Sequence, residues 1–170
     1  DKISVTEMAS VSISDAEGDD TYVISGKGAN VTIDDTKGSD NVKISGASVT
    51  ASVSLGGADN NVVLIDSGAS DANVTLVTGD GDDVITSKAA KATLDITSAK
   101  GDDVITIAGK ESEVSITAGK GDDVIDIAKG ADKSTVAISV DAGDDTVKIN
   151  AASVTGSVDG DANDDVLVIA

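Results

Sequence analysis

An aspartate-rich turn recurs about every twenty residues along the whole chain. The final residues of successive turns lie 20, 20, 23, 20, 20, 22 and 20 positions apart. A fixed period of this length is typical of solenoids, in which no repeat buries its apolar face alone and stacked repeats share one core. The period therefore predicts a single elongated domain over residues 1–170. The turn triplets are Gly18-Asp19-Asp20, Gly38-Ser39-Asp40, Ala58-Asp59-Asn60, Gly81-Asp82-Asp83, Gly101-Asp102-Asp103, Gly121-Asp122-Asp123, Gly143-Asp144-Asp145 and Asn163-Asp164-Asp165.

Two short segments with apolar residues at every second position flank each turn. This period of two predicts β-strands with one face turned inward. We expect an all-β parallel β-roll or β-helix of about eight coils, each of ~20 residues with two short strands. The expected first strands carry the inward pairs Val11/Ile13, Val31/Ile33, Val53/Leu55, Val74/Leu76, Leu94/Ile96, Val114/Ile116 and Val136/Ile138. The expected second strands carry Tyr22/Ile24, Val42/Ile44, Val62/Leu64, Ile105/Ile107, Ile125/Ile127, Val147/Ile149 and Leu167/Ile169, and Ile85/Ser87 breaks the apolar pattern.

The two connections within a repeat differ in regularity. Across the aspartate turn, the inward residues of the two strands are nine positions apart in seven of eight repeats, as from Ile96 to Ile105. The exception, from Leu55 to Val62, coincides with the weak triplet and predicts a shortened third turn. The return connection varies in length. A constant length combined with constant aspartate indicates a ligand that fixes the geometry on that side.

The composition narrows the classes of function. The net charge is −19 with no histidine or cysteine, and only four of the 31 acidic residues are glutamate. Short carboxylates at turns suit a hard cation, and a ladder of unscreened aspartates would repel itself. The alternative is that aspartate and glycine are simply good turn formers. So acidic a chain disfavours a nucleic-acid partner, and no apolar run has the ~20 residues of a membrane-spanning helix. Aspartate turns that repeat eight times predict a structural metal row rather than an enzyme.

The turn and second strand resemble the glycine-rich nonapeptide G-G-x-G-x-D-x-U-x of RTX-type calcium-binding β-roll repeats, in which U is aliphatic. The nearest copies are residues 118–126, AGKGDDVID, and residues 78–86, TGDGDDVIT. The family usually carries this motif twice per coil, whereas here it occurs once, so the resemblance implies calcium along one edge only. The leading glycine pair is also mostly replaced, as by Ser98-Ala99.

The resemblance implies which residues would bind calcium. Backbone carbonyls of the glycine-rich loop and the motif aspartates of neighbouring coils would coordinate several ions. The predicted metal-binding residues are Asp19, Asp20, Asp40, Asp59, Asp82, Asp83, Asp102, Asp103, Asp122, Asp123, Asp144, Asp145, Asp164 and Asp165.

Two functions fit these features. The first is a calcium-stiffened structural segment of a secreted or cell-surface bacterial protein, such as a surface layer, an adhesin stalk or a matrix filament. The alternative is a calcium-triggered folding and secretion module of an RTX-type exported enzyme or toxin. Because neither end carries a polar capping repeat, we expect the partners to be further repeats of the same chain or head-to-tail or lateral copies of it. Both functions place the protein outside the cell.

Overall fold

A computed structural model describes all of residues 1–170, which form seventeen β-strands and no helix. The odd-numbered strands are β1 Lys2–Val5, β3 Thr21–Ile24, β5 Asn41–Ile44, β7 Val62–Ile65, β9 Val84–Ser87, β11 Val104–Ile107, β13 Val124–Ile127, β15 Thr146–Ile149 and β17 Val166–Ile169. The even-numbered strands are β2 Ser10–Ser14, β4 Asn30–Asp35, β6 Thr50–Leu55, β8 Asn73–Val77, β10 Thr93–Thr97, β12 Glu113–Thr117, β14 Thr135–Ser139 and β16 Thr155–Asp159. No helix that could span a membrane is present.

The strands form two sheets in which every pairing is parallel. The odd-numbered strands make a nine-stranded sheet and the even-numbered strands an eight-stranded one, both in sequence order. Each strand therefore pairs with the equivalent strands of adjacent coils, for example Ile105 with Ile85 and Ile125. This arrangement is a β-solenoid of about eight turns with two strands per turn, and it confirms the predicted fold class.

Aliphatic ladders fill the space between the two sheets. Thirty-seven buried apolar residues form one continuous cluster along the solenoid. Alternate residues of a strand point to opposite faces, so β4 buries Val31 and Ile33 while Thr32 is exposed. At the C-terminal end, Leu167 and Ile169 are 51% and 72% exposed, because β17 pairs only with β15. Most of the predicted inward pairs are confirmed.

The predicted register of the third repeat is wrong by one residue after the turn. Before the turn Val53 and Leu55 are buried as predicted, but their alignment with the neighbouring coils is wrong by two residues. Val63 and Ile65 point inward instead of Val62 and Leu64, and they pair with Val42 and Ile44. In the preceding strand, Ala51 and Val53 pair with Val31 and Ile33, and Leu55 pairs with Asp35. The span from Val53 to Val63 is ten positions, so the third turn is longer than the others rather than shorter.

A left-handed residue marks every return turn except the first, between β1 and β2. Lys91 and Glu111, with φ of 56° and 58°, occupy this position in two successive coils, and Gly28 occupies it near the N-terminus with φ of 68°. The N–H of Lys91 donates to the carbonyl of Lys110, one coil further on. The return side is thus regular in conformation although its length varies.

Candidate cation row along one edge

The last two residues of each aspartate turn separate into two rows with different environments. They are neighbours in an extended segment, so their side chains point to opposite sides. The inner row is buried and consists of Asp20, Asp40, Asn61, Asp83, Asp103, Asp123 and Asp145, with Asp165 exposed at its C-terminal end. We number coils 1 to 8 by these residues. The outer row is exposed and consists of Asp19, Ser39, Asn60, Asp82, Asp102, Asp122, Asp144 and Asp164.

Hydrogen bonds join the inner row from coil to coil. The N–H of Asp83 donates to Oδ1 of Asp103 at 2.8 Å, and the N–H of Asp103 donates to Oδ1 of Asp123 at 2.8 Å. The same bond recurs at every step from Asp20 to Asp165, with distances of 2.7–3.1 Å. Each inner side chain therefore reaches toward the preceding coil.

The outer row is bonded in the opposite direction. The N–H of Asp102 donates to Oδ1 of Asp82, and the N–H of Asp122 donates to Oδ1 of Asp102, both at 2.9 Å. Each outer carboxylate thus reaches toward the following coil. These solvated carboxylates already have backbone partners, and they form no cluster of three acidic groups.

The second carboxylate oxygen of each inner aspartate has no partner. Oδ2 of Asp20, Asp40, Asp83, Asp103, Asp123 and Asp145 is buried and accepts no hydrogen bond. A buried oxygen of a carboxylate that lacks a partner is costly, because it loses water and gains nothing in return. The same unbonded, buried oxygen recurs six times along one edge, which makes the inner row the candidate cation site.

The electrostatics of the inner row agree with this geometry. Burial raises the pKa of Asp83 and Asp103 to about 6 and that of Asp123 to about 7, against an ordinary value of 3.8. Burial also raises the pKa of Asp145. Hydrogen bonds from the backbone and the nearby hydroxyls of Thr78 and Ser98 oppose the shift, and neighbouring aspartates add to it. The amino group of Asp1 forms an ion pair with Asp20, but no lysine pairs with the rest of the row, where only a cation or protons can neutralise the charge.

Stacked glycines bring carbonyl oxygens close to the inner row. Gly101 and Gly121 have φ of 120° and 133°, and a Cβ on either would lie 2.3 Å or less from the carbonyl oxygen of the glycine one coil earlier. Only glycine permits both the conformation and the contact. The carbonyls of Gly81, Gly101 and Gly121 accept no backbone hydrogen bond, so they are free to serve as additional oxygen ligands. The left-handed position two residues before Gly101 also persists where glycine is lost, since Ala99 adopts φ of 68°.

Asn61 shows what a positively polarised group does in this row. Its Oδ1 accepts the N–H of Asp40, as an aspartate would. Its Nδ2 donates to the carbonyls of Asp59 at 3.1 Å and Thr78 at 2.9 Å. By register, these carbonyls correspond to those of Gly81 and Ser98 one coil later. The amide thus supplies the N–H donors that a carboxylate lacks. In the other coils an aspartate faces the equivalent carbonyl oxygens without such donors, and a set of carboxylate and carbonyl oxygens is one that fits a hard cation.

The structure places the predicted metal residues in both rows. The inner row contains Asp20, Asp40, Asp83, Asp103, Asp123, Asp145 and Asp165, and the outer row contains Asp19, Asp82, Asp102, Asp122, Asp144 and Asp164. Asp59 belongs to neither, because the third triplet is Asp59-Asn60-Asn61 rather than Ala58-Asp59-Asn60. Asp59 is exposed and its Oδ2 accepts the N–H of Gly38 at 3.1 Å.

Sequence reasoning missed Asp35, which adds a third carboxylate to the first part of the row. Asp35 is fully buried at the end of β4, and one carboxylate oxygen from each of Asp20, Asp35 and Asp40 lies within 4.8 Å of the others. Tyr22 donates its hydroxyl hydrogen bond to Oδ2 of Asp35 at 2.5 Å. The signal was present in the sequence, since Asp35 continues the inward alternation of Val31 and Ile33. A second group, Asp1, Asp15 and Asp20, lies at the N-terminal end and is more exposed.

Comparison with models of protein families, with curated proteins and with solved structures yields no match.

Proposed function

We propose that this chain is a calcium-binding structural repeat segment of a secreted or cell-surface bacterial protein, stiffened by calcium along one edge. The observation that carries the proposal is the row of buried carboxylate oxygens without partners. Carboxylate and carbonyl oxygens are the ligands that calcium prefers. The repetition of the row in nearly every coil suits a building element better than a single reaction centre, so no enzymatic activity is proposed.

The cations would lie between successive coils. Five inter-coil positions have an inner aspartate on both sides: Asp20–Asp40, Asp83–Asp103, Asp103–Asp123, Asp123–Asp145 and Asp145–Asp165. The two positions beside Asn61 have only one carboxylate each. An ion held by two adjacent coils couples their folding, because binding free energy becomes folding free energy. Extracellular calcium, in the millimolar range, suits repeated sites of modest affinity.

A calcium titration starting from metal-free protein tests the proposal. Far-ultraviolet circular dichroism should show a cooperative gain of β-structure, and calorimetry should give several ions per chain. Potassium at equal ionic strength controls for screening of the net charge. A complete β-signal without metal, together with no heat of calcium binding, would contradict the proposal.

Asp103→Asn is the matched variant. Asparagine keeps the Oδ1 acceptor for the N–H of Asp83 and removes the charge, as the chain itself does at Asn61. We expect fewer bound ions and a higher calcium midpoint. Asp102→Asn, in the exposed outer row, is the control and should leave the ion count unchanged.

Light scattering on the same samples separates the two extracellular roles. Calcium-dependent particle growth supports a self-assembling surface element. Cooperative folding to a single particle of constant size favours the alternative, a calcium-triggered folding module of an exported enzyme or toxin.

A further inference from the structure

The inter-coil position between Asp20 and Asp40 differs chemically from every later position of the inner row. There, Asp20, Asp35 and Asp40 are 3%, 0% and 2% exposed. Asp15 occupies the corresponding place in the more exposed N-terminal group with Asp1 and Asp20, whereas the later positions of the row carry groups without a charge. Counting along the register, these are Leu55, Thr78, Ser98, Ala118, Val140 and Gly160.

The carboxylates converge on a common point and leave two oxygens without a partner. Oδ1 of Asp40 accepts the N–H of Asp20, and Oδ1 of Asp20 accepts a bond from the amino group of Asp1. Oδ2 of both residues is buried and unbonded. Asp35 closes the group from the opposite sheet, with its Oδ2 bonded to the Tyr22 hydroxyl. Three buried carboxylates at this spacing strongly repel one another unless a cation or protons neutralise them.

We propose that Asp20, Asp35 and Asp40 form a distinct three-carboxylate site for a hard cation, and that this site fills before the rest of the row. The inference rests on the proposed function for the identity of the physiological ion, calcium. Affinity for calcium rises with the number of charged ligands and with the rigidity of the site. Tyr22 orients Asp35 through its hydroxyl and acts as a positioning residue.

Tyr22 also makes the site directly observable. It is the sole aromatic residue of the chain, which has no tryptophan or phenylalanine. Terbium replaces calcium at oxygen-rich sites and emits when a nearby tyrosine transfers excitation energy to it. The Asp83–Asp103 position lies three coils further on, roughly 14 Å along the axis at ~4.8 Å per coil. Because energy transfer falls steeply with distance, emission excited through Tyr22 reports on ions at the N-terminal end of the row. The Asp35 variants distinguish this site from the adjacent group of Asp1, Asp15 and Asp20.

The test is a terbium titration of the metal-free full chain at neutral pH, followed by displacement with calcium. We expect a saturable emission that reaches its plateau at about one ion per chain, before the main change in circular dichroism. Asp35→Leu introduces the residue that coil 3 carries at the same place, and Asp35→Asn keeps the shape of the side chain. Both variants should weaken the apparent terbium affinity at least tenfold. Circular dichroism in saturating calcium verifies that each variant is folded.

Asp123→Asn is the control that separates this inference from the proposed function. It removes a carboxylate five coils from Asp20 and should leave the Tyr22-excited titration unchanged while lowering the total calcium count. If the wild type shows no emission, or if both Asp35 variants titrate with the affinity of the wild type, the three-carboxylate site is refuted, even if calcium still fills the row. If emission behaves as expected but no further calcium binds, the site stands and the proposed row fails.

Discussion

Asn61 is the one position of the buried inner row at which the chain has no aspartate. Its amide satisfies the carbonyls of Asp59 and Thr78, so coil 3 needs no cation for local stability. Because asparagine stands here in place of aspartate, each of the two adjacent inter-coil positions has one carboxylate instead of two. One side-chain atom thus replaces the proposed metal dependence with hydrogen bonding.

Asn61→Asp should reverse this exchange. The variant loses both Nδ2 donors and gains a buried charge, so we expect the metal-free protein to be less stable by about 1–3 kcal/mol. In saturating calcium it should bind more ions than the wild type. Calorimetric ion counts and denaturant unfolding with and without calcium measure both effects. An unchanged ion count would show that carboxylate pairs in the inner row do not define the sites.

Ser87, in β9, is a polar residue within a ladder of otherwise apolar side chains in the core. It is fully buried between Ile65 and Ile107, and its Oγ has no hydrogen-bond partner. Ser87→Val removes the orphaned hydroxyl and adds buried apolar surface, so it should stabilise the protein by about 1–2 kcal/mol. Chemical denaturation in saturating calcium gives the difference. Ser115→Val, at an exposed position of β12, is the control and should change stability by less than ~0.5 kcal/mol.

At the scale of the turn, the stacked glycines position the inner row. Gly101→Ala would place a Cβ 2.3 Å from the carbonyl oxygen of Gly81 at φ of 120°. We expect a loss of about 2–3 kcal/mol and a higher calcium midpoint, because the backbone of that turn must shift. Gly28→Asn is the control on the return side. A Cβ there meets nothing closer than 3.8 Å, and asparagine tolerates the left-handed conformation. A similar loss in both variants would assign the effect to glycine in general rather than to the carbonyl stack.

The elements were predictable from sequence wherever period and alternation agreed. The twenty-residue repeat predicted the coils, and alternating apolar pairs such as Leu94/Ile96 predicted the strands within them. The third repeat was mispredicted because residues 58–61 offer two overlapping triplets, and residues 62–65 are four consecutive apolar residues. Without alternation of apolar and polar residues, the sequence does not specify which face of the strand points inward. A shift of one residue then exchanges the residues that point inward with those that point outward. The contrast between inner and outer aspartates depends on the same alternation, but which row is buried required the three-dimensional arrangement.

At the scale of the whole molecule, the inner row makes stability depend on pH. The pKa of Asp40 is raised by burial to about 6, like those of Asp83 and Asp103, and that of Asp123 to about 7. The folded chain therefore holds protons that the unfolded chain, with carboxyl groups near 3.8, releases earlier. Stability from this source is complete below pH 4 and is lost as the pH rises toward 7.

Metal-free protein should accordingly melt at a higher temperature at pH 5 than at pH 7.5. In saturating calcium the order should reverse, because the ion binds only deprotonated carboxylates. Thermal melts at the two pH values, with and without calcium, check both signs, and Asp103→Asn should flatten the metal-free dependence. If the metal-free melting temperature rises with pH, the buried carboxylates are not the dominant titrating groups.

The parallel pairing of equivalent strands has a mechanical consequence. The hydrogen bonds of both sheets run along the long axis, from one coil to the next. Tension between the chain ends therefore opens the molecule like a zipper, one coil at a time. Each coil of about 20 residues releases up to ~70 Å of contour length when it extends. The chain would act as a tether that lengthens in nearly equal steps, and in calcium the weakest steps would be at the two interfaces of coil 3, where one carboxylate is absent.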